Sequence, residues 1–351
     1  MDVVSEGALT AAIGFVGGIL LGLAARRGRF CTLGAIEDAL YGRDYGRMRM
    51  WALALAVAIA GAFTLEALGA LDLRGSIYAG QGWSPAAAVL GGLVFGYGMA
   101  LAGNCGFGAL ARCGGGDLRA FVIVLVMGVS AYMAVAGPTG ALRARLFPAA
   151  PPVSDLAEYG FAHGVGAALG VAPAAPALLV AAALAAWALS SPGFRRTRER
   201  ALWSMAVGVA VALGWWGTAW VARTGFDGVR VESHSFTAPI GDSLLYVMTS
   251  TGGGLGFGVG SVAGVLVGAF IGSLSRGHFR WEACDDPREL GRQILGAFLM
   301  GTGGVLALGC SVGQGLTAFS TLAWSGPVVL LSIFVGAALG LRQLIRGYSP
   351  A

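Results

Sequence analysis

Three cysteines lie where apolar stretches of the sequence are interrupted by glycine and other small residues. The breaks read Phe30-Cys31-Thr32-Leu33-Gly34-Ala35, Gly103-Asn104-Cys105-Gly106-Phe107-Gly108 and Leu308-Gly309-Cys310-Ser311-Val312-Gly313-Gln314-Gly315. Glycine at this density disfavours a continuous helix, so we expect short half-helices whose amino ends begin near Cys105 and Cys310. The free N–H groups and positive dipole end of a half-helix attract anions. Another short re-entrant helix is expected after Cys31.

A thiol at such a break allows more than one kind of chemistry. Free cysteine is often only a small buried hydrophobe, but three of the five cysteines fall at glycine-rich breaks, which favours a functional role. The odd cysteine count disfavours a disulfide framework. A metal site is weakly supported, because the sequence has no Cys-x-x-Cys and its three histidines lie in separate loops. We therefore predict neither a metal nor a cofactor.

Polar groups beside the breaks are further candidates for contacting an anion. Asn104, Gln314 and Thr317 could donate hydrogen bonds to it, although each could equally bridge two helices. Arg112 could attract the anion or simply end the first half-helix. The predicted anion-contacting residues are Cys31, Cys105, Cys310, Asn104, Gly106, Gly309, Ser311, Gln314 and Arg112. Glu66 is interpreted as reaching the lipid headgroups.

The elements that hold these breaks must be membrane helices. A chain of 351 residues that is 56% hydrophobic and 12% charged has too few polar side chains to cover a soluble globule. Apolar stretches long enough to span a bilayer cover 8–25, 51–70, 87–103, 120–137, 174–190 and 201–222, and two longer uncharged runs cover 243–275 and 293–341. The second run must contain two spans. We predict an all-α integral membrane protein with about nine transmembrane helices, forming a single membrane domain over 1–351.

The arginines orient this predicted bundle. With residue 1 outside and nine spans, most basic groups fall on the cytoplasmic side, as the positive-inside rule requires. The exceptions are Arg74, Arg143, Arg145, Arg223 and Arg230. The N-terminus is then outside and the C-terminus cytoplasmic. The net charge of +5 is explained by this bias and by attraction to anionic lipid, and it does not support nucleic-acid binding.

A weak internal repeat divides the chain into halves at about 8–140 and 250–345, joined by connecting helices at about 150–245. Aligning Cys105 with Cys310 makes eight of 19 positions identical over 90–108 and 295–313. Each half also carries a glycine ladder at four-residue spacing, Gly14, Gly18 and Gly22 in one and Gly256, Gly260, Gly264, Gly268 and Gly272 in the other. Such ladders let two backbones approach closely in lipid, and transporters often place their site between repeats. We expect the two halves to run in the same direction.

The three cysteine breaks, the first of which begins Arg29-Phe30-Cys31, resemble the YeeE/YedE family of bacterial membrane proteins over nearly the whole chain. The resemblance implies an hourglass-shaped importer of thiosulfate in the inner membrane, whose substrate path is lined by Cys31, Cys105 and Cys310. Cys105 would lie at the narrow waist. Some family members carry a fused small sulfur-carrier domain that is not recognised in this sequence, so any such partner here would be a separate cytosolic TusA-like protein.

Two mechanisms are compatible with these residues. The first is uptake of thiosulfate without covalent change, which makes the chain a transporter and not an enzyme. The second is a membrane carrier of thiol, sulfane sulfur or a selenium compound that uses a redox-active cysteine pair, Cys105 and Cys310. The second mechanism requires a thiolate, which an apolar site disfavours unless a half-helix dipole compensates.

Overall fold

The computed structural model of the chain describes residues 5–80, 82–148, 155–226, 228–250, 254–284 and 286–347. Across these residues the fold is all-α, as predicted, and extended backbone pairs only at isolated bridges. The helices are α1 (Glu6–Arg27), α2 (Thr32–Glu37), α3 (Gly46–Ala67), α4 (Ile77–Gly80), α5 (Pro85–Ala102), α6 (Gly106–Cys113), α7 (Leu118–Val135), α8 (Pro138–Leu146), α9 (Leu156–Tyr159), α10 (Phe161–Leu169), α11 (Ala174–Leu189), α12 (Pro192–Arg196), α13 (Arg198–Thr224), α14 (Ala238–Thr249), α15 (Phe257–Leu274), α16 (Pro287–Leu306) and α17 (Ser325–Gly347). Two π-helical segments cover Asp38–Gly42 and Gly313–Ala318.

Seven segments of the described chain are long and apolar enough to cross a bilayer. They are α1, α3, α5 with α6, α7, α13, α15 and α17. The other two predicted spans correspond to α11, with 16 residues, and α16, with 20. At about 1.5 Å per residue α11 is shorter than the roughly 30 Å hydrocarbon core, and the first turn of α16 carries Glu289. The chain is an all-α multi-pass membrane protein, and nine remains the predicted number of spans.

Polar caps and glycine set the helix ends next to the cysteine breaks. The Asp117 carboxylate accepts the N–H groups of Arg119 and Ala120 and so begins α7, because the first N–H groups of a helix have no partner within the helix. At the end of α5, Gly103 adopts φ +75°, a conformation that glycine takes without steric cost. The chain turns there and reaches Cys105 two residues later.

The two glycine ladders pack against each other. α1 and α15 lie so close that a Cβ at Gly14, Gly18 or Gly22 would overlap backbone carbonyls of α15, and a Cβ at Gly260, Gly264 or Gly268 would overlap those of α1. Lipid gives helices no hydrophobic reason to associate, so van der Waals contact between smooth helix faces must supply the attraction. The prediction that the ladders permit close backbone approach is confirmed.

The two halves do not share one direction throughout. α1 and α15 are parallel, because Gly14 meets Phe257 while Gly22 meets Val265. α5 and α16, which carry Cys105 and Cys310 at their carboxyl ends, are antiparallel: Gly91 meets Ala307 while Gly98 meets Gly296. The expectation of a common direction is therefore wrong for the two cysteine copies. α5 and α16 therefore lead to their breaks from opposite ends of the bundle.

The two ends of the bundle differ in charge. We call the end where α1 and α5 finish the arginine end, since Arg26, Arg27, Arg29, Arg112, Arg119 and Arg276 lie in or next to the helix termini there. The opposite end is formed by the end of α3, the beginning of α5, α8 and the end of α16. One cavity at this end is lined by charged side chains of both signs, which are Arg143, Arg230, Glu232 and Asp242.

Candidate functional site

All three cysteines of the glycine-rich breaks form the same local structure, which we call a thiol turn. Two residues before each cysteine the backbone is left-handed, with φ of 56° at Arg29, 75° at Gly103 and 57° at Leu308. Each sulfur then accepts the N–H of the third residue on, which is glycine in every case. The donor and acceptor atoms are Gly34 N and Cys31 Sγ at 3.5 Å, Gly108 N and Cys105 Sγ at 3.4 Å, and Gly313 N and Cys310 Sγ at 3.3 Å.

The thiol turns begin the short helices that the sequence predicts. Cys105 is the N-cap of α6 and Cys31 the N-cap of α2, a role in which an acceptor atom satisfies a helix N–H group. Cys310 precedes the π-helical segment Gly313–Ala318, so the third copy winds more loosely than an α-helix. A sulfur that accepts a backbone N–H keeps its own S–H proton free to donate.

The turns from the two ends of the bundle meet at Thr32. Its hydroxyl donates to Ser311 Oγ at 3.1 Å and lies 3.9 Å from Cys105 Sγ. The side chains here are excluded from solvent: Cys105 is 0% exposed, Cys310 1% and Thr32 2%. The Phe236 N–H donates a second hydrogen bond to Cys310 Sγ at 3.3 Å. We call Thr32, Cys105, Cys310 and Ser311 the constriction.

One cavity lies next to the constriction on the side of the arginine end and is lined by Cys31 and Asn104, which directly precede Thr32 and Cys105. This arginine cavity, of about 360 Å³, is lined by Arg26, Arg29, Arg47, Arg112, Arg276 and His278 together with Cys31, Gly103, Asn104 and Gly108. Asn104 is buried, and among the described residues neither its amide nitrogen nor its oxygen has a hydrogen-bond partner. An unpaired buried amide costs about 1–3 kcal/mol, so a ligand that contacts Asn104 would recover this energy.

A second cavity lies next to the constriction on the side of the opposite end. This mixed-charge cavity, also of about 360 Å³, is lined by Arg143, Arg230, Glu232 and Asp242, and it ends at Leu308 and Gly309, directly before Cys310. Glu232 lies in the connection between α13 and α14. Burial raises the pKa of Glu232 to about 7; Arg230 opposes the shift, and the like charge of Asp242 adds to it.

The remaining predicted site residues are placed as follows. Ser311 lies in the constriction, Gly309 lines the mixed-charge cavity, and Gly106 packs against the side chain of Met127. Gln314 is buried and donates to the Leu308 carbonyl at 3.1 Å, so it braces the third thiol turn. Arg112 lines the arginine cavity and pairs with Asp117 at 3.6 Å. The structure is therefore compatible with both predicted roles of Arg112, which are to attract the anion and to end the half-helix after Cys105.

Buried hydrogen bonds hold the third thiol turn in place. The Tyr78 hydroxyl donates to the Gly313 carbonyl at 2.7 Å, and the Thr317 hydroxyl donates to the His234 carbonyl at 2.6 Å. Thr317 therefore bridges two segments of the chain, which is one of its two predicted roles. Glu66, interpreted from sequence as reaching headgroups, instead pairs with His163 at 2.8 Å.

Sequence reasoning missed Thr32, Phe236 and Glu232. Thr32 directly follows Cys31, so its place in a break was a usable signal. Phe236 and Glu232 lie in a polar connection with no motif, and only the fold brings them to the site. Across the described residues no group of three His, Cys, Asp or Glu side chains is arranged to bind a metal, and all five cysteines are free.

Comparison with known proteins identifies the family of this chain. Two relatives are named thiosulfate transporter TsuA. The one from Escherichia coli (strain K12) is 27% identical over 348 residues, covering 92% of this chain and 91% of that protein. The one from Spirochaeta thermophila (strain ATCC 700085 / DSM 6578 / Z-1203) is 26% identical over 329 residues, covering 92% and 96%. Residues 27–339 match the family described as sulphur transport. With a match over most of its length, this chain belongs to the sulphur-transport (YeeE/YedE) family.

Proposed function

We propose that this protein imports thiosulfate across the bacterial inner membrane, with its arginine end and C-terminus in the cytoplasm and its N-terminus outside. The observation that carries this proposal is the meeting of three thiol turns between two cavities. The anion would enter through the mixed-charge cavity, pass Cys310, Cys105 and Cys31 in turn, and leave through the arginine cavity. The printed name of both relatives supports the choice of thiosulfate.

The chemistry of the thiol turns suits this anion. Thiosulfate has a soft terminal sulfur and a hard sulfonate end, and the free S–H proton of each thiol turn can donate a weak hydrogen bond to either. The arginine cavity draws the charge inward. Because contacts along a transport path must be weak enough to allow release, thiols serve better here than a metal would. The proposal requires no covalent change, and the protein would not be an enzyme.

The alternative is a carrier of sulfane sulfur or of a selenium compound, in which Cys105 and Cys310 form a redox pair. Such a protein would accumulate a persulfide or a mixed disulfide during turnover. Mass spectrometry of protein quenched during uptake separates the two mechanisms, since an unmodified pair is expected for simple transport. We also propose that a separate TusA-like carrier receives the sulfur at the arginine end, where the basic cavity opens.

Uptake into liposomes tests the proposed function directly. Purified protein in liposomes should take up labelled thiosulfate, and an excess of sulfate should not compete, because sulfate lacks the soft sulfur that the thiols contact. Empty liposomes give the background. Absence of thiosulfate uptake by folded protein would contradict the proposal and favour a selenium compound or the redox alternative.

Thr32→Val is expected to lower thiosulfate uptake by about tenfold without unfolding the protein. Valine has the shape of threonine but cannot donate to Ser311, and a lost hydrogen bond of about 1–1.5 kcal/mol corresponds to roughly tenfold in rate. Initial uptake rates in liposomes measure the effect. Thr32→Ser, which keeps the hydroxyl, should retain most activity, and Thr10→Val provides a matched control at another buried threonine. An unchanged uptake rate for Thr32→Val would show that the Thr32 hydroxyl does not take part in transport.

A further inference from the structure

The mixed-charge cavity poses an electrostatic problem for a dianion. Arg143 and Arg230 favour the anion, but Glu232 and Asp242 line the same cavity and repel it when they are charged. An anion that reaches Gly309 must come close to all four side chains, because the cavity is only about 360 Å³ in volume. Coulomb repulsion between charges a few ångströms apart is strong where water is partly excluded.

The backbone of Glu232 is held in place by Thr218. Its backbone N–H donates to the Thr218 hydroxyl at 3.1 Å, and its carbonyl accepts a hydrogen bond from the same hydroxyl at 2.7 Å. Its side chain also lines a neighbouring cavity of about 330 Å³, which shares Glu232, Pro239 and Asp242 with the mixed-charge cavity. In the described part of the chain no cation lies within 4 Å of the Glu232 carboxylate, because the ion pairs found there involve other residues.

Arg143 is held in a way that suits anion binding. Its Nε donates to the Ala134 carbonyl at 3.0 Å, which fixes the guanidinium plane between α7 and α8. It also lines a cavity of about 430 Å³ beside Trp83 and Ser84. A guanidinium fixed through Nε can present its terminal N–H groups to an anionic oxygen, and such charge-assisted hydrogen bonds are among the strongest in proteins.

We propose that the mixed-charge cavity binds the anion together with a proton, the anion at Arg143 and Arg230 and the proton on the Glu232 carboxylate. This deepens the proposed function and rests on it. Protonation removes one repelling charge, and the bound dianion in turn favours the protonated acid. The two ligands therefore bind with positive cooperativity, and by linkage each raises the affinity for the other.

The surroundings of Glu232 set the pH at which this occurs. The groups that share its two cavities are Arg143 of α8, Tyr78 of α4, Asp242 and Tyr246 of α14, and Arg230 of its own connection. With the pKa of Glu232 at about 7, the protonated form predominates below pH 7 and is lost as the pH rises above it. A group with this pKa is about nine-tenths protonated at pH 6 and about one-tenth at pH 8.

The test compares wild type, Glu232→Gln and Glu158→Gln in liposomes with the external pH varied from 6 to 8. Thiosulfate remains a dianion over this range, so the substrate itself does not titrate. Wild-type uptake should be about tenfold faster at pH 6 than at pH 8, following the protonated fraction. Glu232→Gln, whose amide imitates the protonated acid, should be fast and nearly independent of pH. Glu158 is an exposed carboxylate of α9, and its variant should behave as wild type.

A binding measurement separates this proposal from the proposed function. Adding thiosulfate to wild-type protein in weakly buffered detergent solution at pH 7.5 should raise the pH, because Glu232 takes up a proton, and Glu232→Gln should not show the change. Thiosulfate uptake that is equally fast at pH 6 and pH 8 would overturn proton binding and leave the transporter intact. Absence of uptake at every pH would overturn both.

Discussion

Cys105→Ala is expected to lower thiosulfate uptake by about a hundredfold, the largest effect of any single side chain in the constriction. The thiol is fully buried, so an anion passing this point is cut off from water and depends on the few donors present. Losing a hydrogen bond to a charged group costs about 1.5–3 kcal/mol, and about 2.7 kcal/mol corresponds to a hundredfold in rate. Initial uptake rates in liposomes measure this loss.

Cys113→Ala is the matched control for Cys105→Ala. Cys113 ends α6, the helix that Cys105 begins, but it lines neither the arginine cavity nor the mixed-charge cavity. Its removal should leave uptake within about twofold of wild type, since surface and peripheral substitutions usually have small effects. If Cys105→Ala and Cys113→Ala transport equally well, the anion does not contact Cys105 and the path through the three thiol turns is wrong.

Gly264→Leu is expected to prevent α1 and α15 from packing and to destabilise the whole bundle. A Cβ at Gly264 would overlap the carbonyl of Phe15 and approach the Cα of Gly18 to 3.0 Å. These are backbone atoms, which cannot move aside as a flexible side chain can. Overpacking typically costs about 1–3 kcal/mol, and we expect the upper end or more here because two helix axes must separate. Thermal unfolding in detergent, followed by size-exclusion chromatography, measures the loss.

Gly291→Leu makes the same chemical change where there is room. Gly291 lies in α16, and a Cβ there would meet no atom within 4 Å. Replacing an open helical glycine should be neutral or slightly stabilising, because leucine has the higher helix propensity. A Gly264→Leu protein as stable as Gly291→Leu would contradict the close packing of the two ladders.

Much of this fold could be predicted because the local sequence of a membrane helix is enough to indicate the helix. Apolar length marked out α1, α3, α5, α7, α13 and α17, and glycine density marked the three breaks. Both signals depend on neighbouring residues alone, since lipid requires each helix to satisfy its own backbone. The half-helix predicted to begin near Cys105 begins at Gly106.

What could not be predicted depends on contacts between distant segments. The hydrogen bond from Thr32 to Ser311 joins residues 279 positions apart, and no periodicity in the sequence indicates it. The antiparallel packing of α5 on α16 was missed because identical residues at aligned positions carry no information about direction. The pairing of Glu66 with His163 likewise required two helices to be placed side by side.

The inverted arrangement of α5 and α16 also determines where the membrane voltage acts. On the proposed path one cavity lies on each side of the constriction, so the transmembrane potential would fall mainly over the residues around Thr32 and not over the full bilayer. Carrying a dianion toward a negative interior across this short barrier costs about 4.6 kcal/mol per 100 mV, twice the value of about 2.3 for one elementary charge. Inward movement of thiosulfate, as proposed, would therefore need a driving force that exceeds this opposing voltage, and a proton entering with the anion would halve the charge that is carried.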